Sequence, residues 1–260
     1  QDGILQESWH LNNYFMRLCG VGLTGIAKRP DMTGYDYEYL KRTATAAAVG
    51  MATELGLPSP KNITCIKPSG TLSKIMDTTE GVHKPLGKYI FNNVQFSKFD
   101  PIVEVLRAAN YNVVNHPTDD SGVLITFPVE WADVPFHKVA GKEVNLDTAV
   151  EQLEKYKLIQ TSWTQQNTSV TISYDPTEVP AIIDWLLDNW DCYVGVSFIY
   201  RTDPTKTAKD LGYLYPPQEV VDEQTFRNYV HQLTPVSLEN ANSFDEIMGE
   251  ECSTGACPIR

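Results

Sequence analysis

Apolar residues along the chain follow two rhythms, one near the 3.6-residue helical period and one near the two-residue strand period. The helical rhythm is clearest where Val179, Ile182, Ile183, Leu186, Leu187 and Trp190 fall at i, i+3, i+4, i+7, i+8 and i+11. Pro180 has no N–H to donate, so it belongs in the first turn, and the helix starts between Asp175 and Val179. β-prone runs at residues 169–174 and 193–199 flank this helix. Strand, helix and strand joined by short links predict a parallel βαβ unit. The chain is therefore α/β, with a barrel and an open sheet both allowed.

The same reading extends to the rest of the chain. Residues 1–19 have roughly helical apolar spacing, and residues 35–57 predict a long helix with Leu40, Ala44, Ala47, Ala48, Met51 and Leu55 on one face. Gly56 and Pro58 stop that helix. Between the two lies Cys19-Gly20-Val21-Gly22-Leu23-Thr24-Gly25-Ile26, where the backbone must bend or approach something closely. No strand clearly precedes it, so a packing role is expected rather than a dinucleotide loop. Strands are predicted at residues 62–66, 88–97 and 123–129, and helices after Asp100-Pro101 and over 146–163. The pattern decays after Arg201 into a Pro/Gly-containing loop at 202–218. Beyond Leu233 the chain is polar and acidic, with no Lys or Arg before Arg260, and reads as a mobile tail.

Charge narrows the function. The formal net charge of −12 argues against wrapping a nucleic acid polymer. It leaves a nucleotide ligand open, because phosphate binding is local, and Lys61, Lys67 and Lys74 offset the global charge near one segment. That segment is Lys67-Pro68-Ser69-Gly70-Thr71-Leu72-Ser73, set between the β-prone residues 62–66 and a helix-capable stretch at 72–76. Pro68 presets the backbone, Gly70 permits close approach, and Ser69, Thr71 and Ser73 add hydroxyls. A strand, a tight corner and a helix start make an anion site. Taken alone, the seven residues favour an ordinary turn capped by Ser and Thr. The polar loop at 78–85 follows directly, and its His83 is a further candidate for lining the same site.

The five cysteines separate into two groups. Cys19, Cys65 and Cys192 lie in apolar or β-like contexts and read as small core residues. Cys252 and Cys257 lie in the tail with four residues between them, Gly255 among these, close enough to bend into a disulfide. A reversible dithiol shuttle and incidental cysteines fit this spacing equally. Two thiols without nearby His make a poor zinc site. The odd count in a long chain is unlike a secreted disulfide scaffold, and a reducing, cytoplasmic setting is expected.

In their order along the chain, three motifs resemble the C-terminal part of the large catalytic subunit of ribonucleotide reductase. Lys67 to Ser73 resembles the family's substrate-phosphate corner. Asn167-Thr168-Ser169-Val170-Thr171-Ile172 through Val194-Gly195-Val196-Ser197-Phe198 resembles its late barrel strands and their helix. Cys252-Ser253-Thr254-Gly255-Ala256-Cys257-Pro258-Ile259 resembles its terminal redox tail. The resemblance implies a ten-stranded α/β barrel whose C-terminal part is residues 1–232, followed by a redox tail over 233–260. It implies radical reduction of a ribonucleotide at its 2′ carbon, with Pro68, Ser69, Gly70, Thr71 and Ser73 on the substrate phosphates and Lys67 and His83 lining the site. Cys252 and Cys257 would relay electrons from thioredoxin or glutaredoxin to a cysteine pair in the barrel.

The departures from the family pattern are as informative. The family's radical cysteine sits in Asn-x-Cys-x-Glu, and no cysteine of this chain has that context. The barrel redox pair is also unassigned. The expectation is a split enzyme in which a separate N-terminal reductase chain carries the radical cysteine and closes the barrel; an incomplete barrel leaves open edges that need covering. Ser197-Phe198-Ile199-Tyr200-Arg201 lacks the adjacent tyrosines of the diiron-partnered type. With the Pro-Ser-Gly-Thr-Leu-Ser wording, this points to the adenosylcobalamin-dependent type, with a triphosphate substrate preferred over a diphosphate. No glycyl-radical motif is evident. Where the family has an arginine-rich strand, residues 89–94 read Tyr-Ile-Phe-Asn-Asn-Val, so no anion role is carried over there. The alternatives are a fragment of a diiron-partnered reductase, a non-catalytic assembly module of the same fold, and a phosphate-binding barrel enzyme of other chemistry.

Overall fold

The computed structural model describes residue 4, residues 6–203 and residues 206–237. The tail cysteines Cys252 and Cys257 lie outside the described residues. In chain order the elements are α1 (Glu7–Met16), β1 (Val21–Gly22), α2 (Gly34–Glu54), β2 (Thr64–Cys65), α3 (Leu72–Ile75), β3 (Tyr89–Ser97), α4 (Pro101–Ala108), β4 (Val113–Asn115) and β5 (Gly122–Glu130). There follow β6 (His137–Val139), β7 (Lys142–Val144), α5 (Ala149–Ser162), β8 (Thr171–Tyr174), α6 (Val179–Asp188), β9 (Ser197–Tyr200), β10 (Gln218–Val220) and α7 (Glu223–Gln232). They group into two compact units. The first comprises the chain up to Pro85 together with Leu146–Thr202, and the second comprises Leu86–Asn145 and the chain from Asp203.

The first unit is parallel α/β. β1 pairs with β2 in parallel, Val21 opposite Thr64, and β8 pairs with β9 in parallel, Thr171 opposite Ser197. A parallel bridge between Ile66 and Thr168 joins the two ladders. Helices occupy the crossovers, α2 between β1 and β2 and α6 between β8 and β9, as parallel neighbours require. α5 runs through the middle of the core: Leu153, Tyr156 and Ile159 pack with Ile66, Ile172, Ile182 and Trp185. Its N-terminus carries a capping box, with the Thr148 hydroxyl accepting from the Glu151 N–H and the Glu151 carboxylate accepting from the Thr148 N–H at 2.7 Å.

Two helix faces differ from their sequence pattern. In α2 the buried stripe runs through Tyr37, Leu40, Ala44 and Ala52, while Met51 and Leu55 are exposed. In α6 the core side is Ile182, Trp185 and Leu186. The Trp185 indole donates to Glu154 Oε1 at 2.6 Å, a partner that lets a tryptophan serve as core. Val179, Ile183, Leu187 and Trp190 face outward, so the helix is apolar on two sides. The strand predicted over 193–199 begins only at Ser197. The Val194 N–H is donated to the Tyr156 hydroxyl at 3.1 Å, away from any strand neighbour.

The second unit is an antiparallel sheet in the order β10-β3-β5-β4, with β3 and β5 in register from Tyr89 opposite Glu130 to Ser97 opposite Gly122. Asp100 caps α4 by accepting the Ile102 N–H at 3.0 Å, and Pro101 stands in the first turn. Val103 and Leu106 of α4 bury against Val123 and Ile125. α7 sets Phe226 against Tyr89, ring centroids 5.1 Å apart, and Arg227 grips Glu130 with bonds of 2.8 and 2.9 Å. Among the described residues, no helix is long and apolar enough to cross a membrane.

Trp163 ties α5 to β2. It is almost fully buried, its indole N–H donates to the Cys65 carbonyl at 3.0 Å, and its own carbonyl accepts from the Thr64 hydroxyl at 2.6 Å. Trp163→Ala removes a large core side chain and its hydrogen bond, and should lower unfolding free energy by about 3–5 kcal/mol. Leu187→Ala, on the exposed side of α6, should change it by less than about 0.5 kcal/mol. Urea denaturation of the two variants measures both.

Candidate functional site

Binding residues of parallel α/β folds gather at the carboxyl ends of the strands, where loops and backbone donors converge. In the first unit those ends carry Leu23-Thr24-Gly25 after β1, the corner after β2, Asp175 after β8 and Arg201 after β9. The predicted corner is therefore on the side of the strands where a ligand is expected.

The corner departs from regular structure at one residue. Ser69 has φ +62°, a left-handed conformation costing a non-glycine residue about 1–3 kcal/mol. Its carbonyl accepts the Ser73 N–H at 2.9 Å and closes the turn into α3. Pro68, Gly70 and Thr71 are exposed, Ser69 is half-buried, and nothing lies within 4 Å of the position a Gly70 Cβ would take. Ser73 is fully buried, and its Oγ has no hydrogen-bond partner among the described residues. The corner thus exposes Pro68, Gly70 and Thr71, with Ser69 half-buried and Ser73 beneath. Lys67 runs differently: its ammonium lies 3.3 Å from where a Gly20 Cβ would stand, at the N-terminal end of β1.

The loop after α3 backs the corner. Lys74 pairs with Glu80 across it at 2.6 Å. The Thr79 carbonyl accepts from the Gly25 N–H at 2.9 Å and from the Thr24 hydroxyl at 2.8 Å, and the Thr79 hydroxyl is buried without a partner among the described residues. Gly81 follows with φ +48°, so close to the corner that a Cβ there would stand 2.5 Å from the Lys67 carbonyl oxygen. At the ends of β8 and β9, the Tyr174 and Tyr200 rings lie 5.0 Å apart, and their mutual hydrogen bond holds Tyr174 above the usual phenol pKa. Arg201 bonds the Ser173 carbonyl at 2.9 Å and pairs with Glu178 at 3.0 Å.

The described cysteines lie elsewhere. Cys65 is buried within β2. Cys19 and Cys192 precede β1 and β9, at the opposite ends of those strands from the corner, and the Cys192 thiol donates to the Asn189 carbonyl at 3.1 Å. Pro68, Ser69, Gly70, Thr71 and Ser73 come together as one corner; His83 is set against β8. Thr24, Thr79 and Arg201 do not stand out in the sequence. The glycine cluster beside Thr24 is their nearest signal, but its partner loop lies more than fifty residues away in the chain.

The fold is that of a vitamin B12-dependent, class II ribonucleotide reductase, whose crystal structure matches 91% of this chain with a TM-score of 0.77 at 20% identity. That match covers 36% of the reductase chain. In sequence, the chain is 28% identical over 215 residues to the adenosylcobalamin-dependent ribonucleoside-triphosphate reductase of Levilactobacillus brevis, covering 78% of this chain and 27% of the relative. It is 26% identical over 209 residues to the probable enzyme of that name from Dictyostelium discoideum, covering 79% and 26%. The Lacticaseibacillus paracasei enzyme aligns at 25% identity with 98% of this chain and 35% of its own. The chain is homologous to part of these reductases and spans about a quarter to a third of the length of the curated relatives it matches. No family model matches it.

His83 Nε2 accepts the Thr171 N–H at 3.0 Å, at the start of β8. That bond needs a neutral imidazole with its proton on Nδ1. Burial lowers the His83 pKa below its ordinary value, opposed by the Glu80 backbone and carboxylate. A folded-state pKa below the unfolded one means that the unfolded chain binds the proton more readily, so the stability is present above about pH 6.5 and lost as pH falls through the folded value. His83→Gln should flatten the fall in urea midpoint between about pH 7.5 and pH 5.5. An unchanged slope would assign that pH dependence to other groups.

Proposed function

We propose that this chain is the substrate-gripping and electron-delivering part of an adenosylcobalamin-dependent ribonucleotide reductase. The supporting observation is the corner: exposed donors around a left-handed Ser69, at the carboxyl end of a parallel strand in a fold shared with the class II enzyme. Backbone N–H groups and the Ser69 and Thr71 hydroxyls would hold the phosphates of a ribonucleotide, a triphosphate by the names of the relatives. His83 would stand at the margin of the site, while the Lys67 backbone opens the corner and its ammonium, beside Gly20, would lie back from the phosphates.

The radical chemistry that adenosylcobalamin would supply needs a reactive cysteine at the substrate, and the described cysteines do not fit that role. Cys65 is buried, Cys192 is engaged with Asn189, and Cys19 sits at the far end of β1. In this reading an N-terminal reductase chain carries the radical cysteine, holds most of the cofactor and supplies the missing strands. β1 and β9 are the outer strands of the parallel array among the described residues, and exposed apolar side chains such as Ile199 and Trp190 offer it a surface.

The tail pair carries the electrons. The thiols of Cys252 and Cys257 would attack the disulfide left in the barrel after each turnover. Their two electrons and two protons pass to the barrel pair, the tail closes to a disulfide, and the thioredoxin or glutaredoxin dithiol reopens it by the same exchange. The cytoplasm supplies such reductants, and the enzyme would work there.

The test uses the chain assembled with its N-terminal partner. Cys252→Ser with Cys257→Ser should abolish thioredoxin-driven turnover, while dithiothreitol restores a substantial part of it. Undiminished turnover with thioredoxin would refute the relay. Turnover by this chain purified alone would refute the division of labour.

A further inference from the structure

The glycine cluster after α1 has no part in the function above, yet it meets the corner's backing loop at several points. Thr24 is central. Its hydroxyl donates to the Thr79 carbonyl at 2.8 Å and accepts the Gly81 N–H at 3.0 Å, while the neighbouring Gly25 N–H donates to the same carbonyl at 2.9 Å. One side chain and one backbone group thus hold both sides of Glu80. Gly25 is at φ +74°, and a Cβ there would stand 2.3 Å from the Thr78 hydroxyl oxygen, so the approach requires glycine. Directly after it, the 3-10 turn at Ile26–Lys28 brings the Lys28 ammonium to the Asp77 carbonyl at 2.9 Å. Residues 77–81 are therefore held at Asp77, Thr79 and Gly81 from a single segment.

That loop in turn meets the corner. Gly81 is buried and packs against the Lys67 and Pro68 carbonyl oxygens, 2.5 and 3.4 Å from an added Cβ. The Thr78 N–H donates to the Ser73 carbonyl at 2.9 Å. Contact thus runs unbroken from Thr24 and Gly25, through Thr79 and Gly81, to both ends of the corner. The buried, unpartnered hydroxyls of Ser73 and Thr79 lie on this path, so the region has unused hydrogen-bonding capacity where the loop meets the corner.

We propose that Thr24 and Gly25 are positioning residues for the anion-binding corner: they fix residues 77–81, and those residues set the backbone of residues 67–73 for a polyphosphate. The claim rests on the reading of the corner as a phosphate site. Thr24 is the adjustable member, because valine keeps its shape and loses both hydrogen bonds, whereas serine keeps the bonds.

The experiment has two arms on the full chain. In the first, inorganic tripolyphosphate is titrated calorimetrically into the wild type and T71A. Binding that T71A weakens supports the corner as the phosphate site; no binding, or no effect of T71A, overturns that site and with it the ligand this inference assigns. In the second, amide hydrogen exchange is followed without ligand in wild type, T24V and T24S. T24V should speed exchange over residues 69–76 and 78–82 by about threefold to tenfold, the loss of one to two hydrogen bonds, with residues 150–162 unchanged and T24S close to wild type. T24V should weaken tripolyphosphate by a similar factor, and T24S should not. If T24V leaves residues 69–76 at wild-type exchange, or loosens the chain uniformly, the positioning role is overturned even where the first arm succeeds.

Discussion

The parallel array depends on the pairing of Ile66 with the approach to β8. Ile66 donates its N–H to the Asn167 carbonyl at 3.2 Å and accepts the Ser169 N–H at 3.0 Å, and this bridge joins the two two-stranded ladders into one array. The corner begins at the next residue. Ile66 is thus both the last paired residue of its strand and the anchor from which the backbone leaves for Ser69. The neighbouring bonds reinforce it: Gln165 Oε1 accepts the Ile63 N–H at 2.8 Å, and the Trp163 indole covers the Cys65 carbonyl. A strained Ser69 persists because the strand before it and the loop behind it are both held.

Legibility in the sequence followed the range of the interaction. Regular elements with strong local patterns were readable: the βαβ unit around α6, the long helix α2 closed by its Thr33–Asp36 capping box, and β3 with its alternating residues. The corner was readable as a position but not as a conformation, because nothing about serine announces φ +62°. α7 escaped because Phe226 is its one fully buried residue and its Asp222 cap lies in a stretch where the pattern had already weakened. β4, β6, β7 and β10 are three residues each, too short for alternation to register. The Thr24 contacts span more than fifty residues, beyond any local rule.

The exposed apolar positions of α2 and α6 share one cause. Apolar spacing reports that a side chain avoids water, but not what it packs against. In α6, Ile182 and Trp185 serve the core of this unit, while Ile183, Leu187 and Trp190 remain exposed. α1 goes further: it buries no residue and exposes Trp9 and Phe15. Isolated surface apolar residues are common, but rows of them on successive helices are the pattern of an interface.

The two compact units are interleaved along the chain. The first is interrupted after Pro85 and resumes at Leu146; the second is interrupted after Asn145 and resumes at Asp203. Neither is a continuous stretch, so neither can be completed from its own first segment. During synthesis, β1 and β2 must wait for β8, and the β3–β5 ribbon must wait for β10 and α7. Such sequence-distant closure makes for slow folding and leaves apolar surface uncovered while the ribosome is still working. Within the second unit the antiparallel β3–β5 pairing, nine residues long and closed inside one segment of the chain, does not have to wait for the return at Asp203.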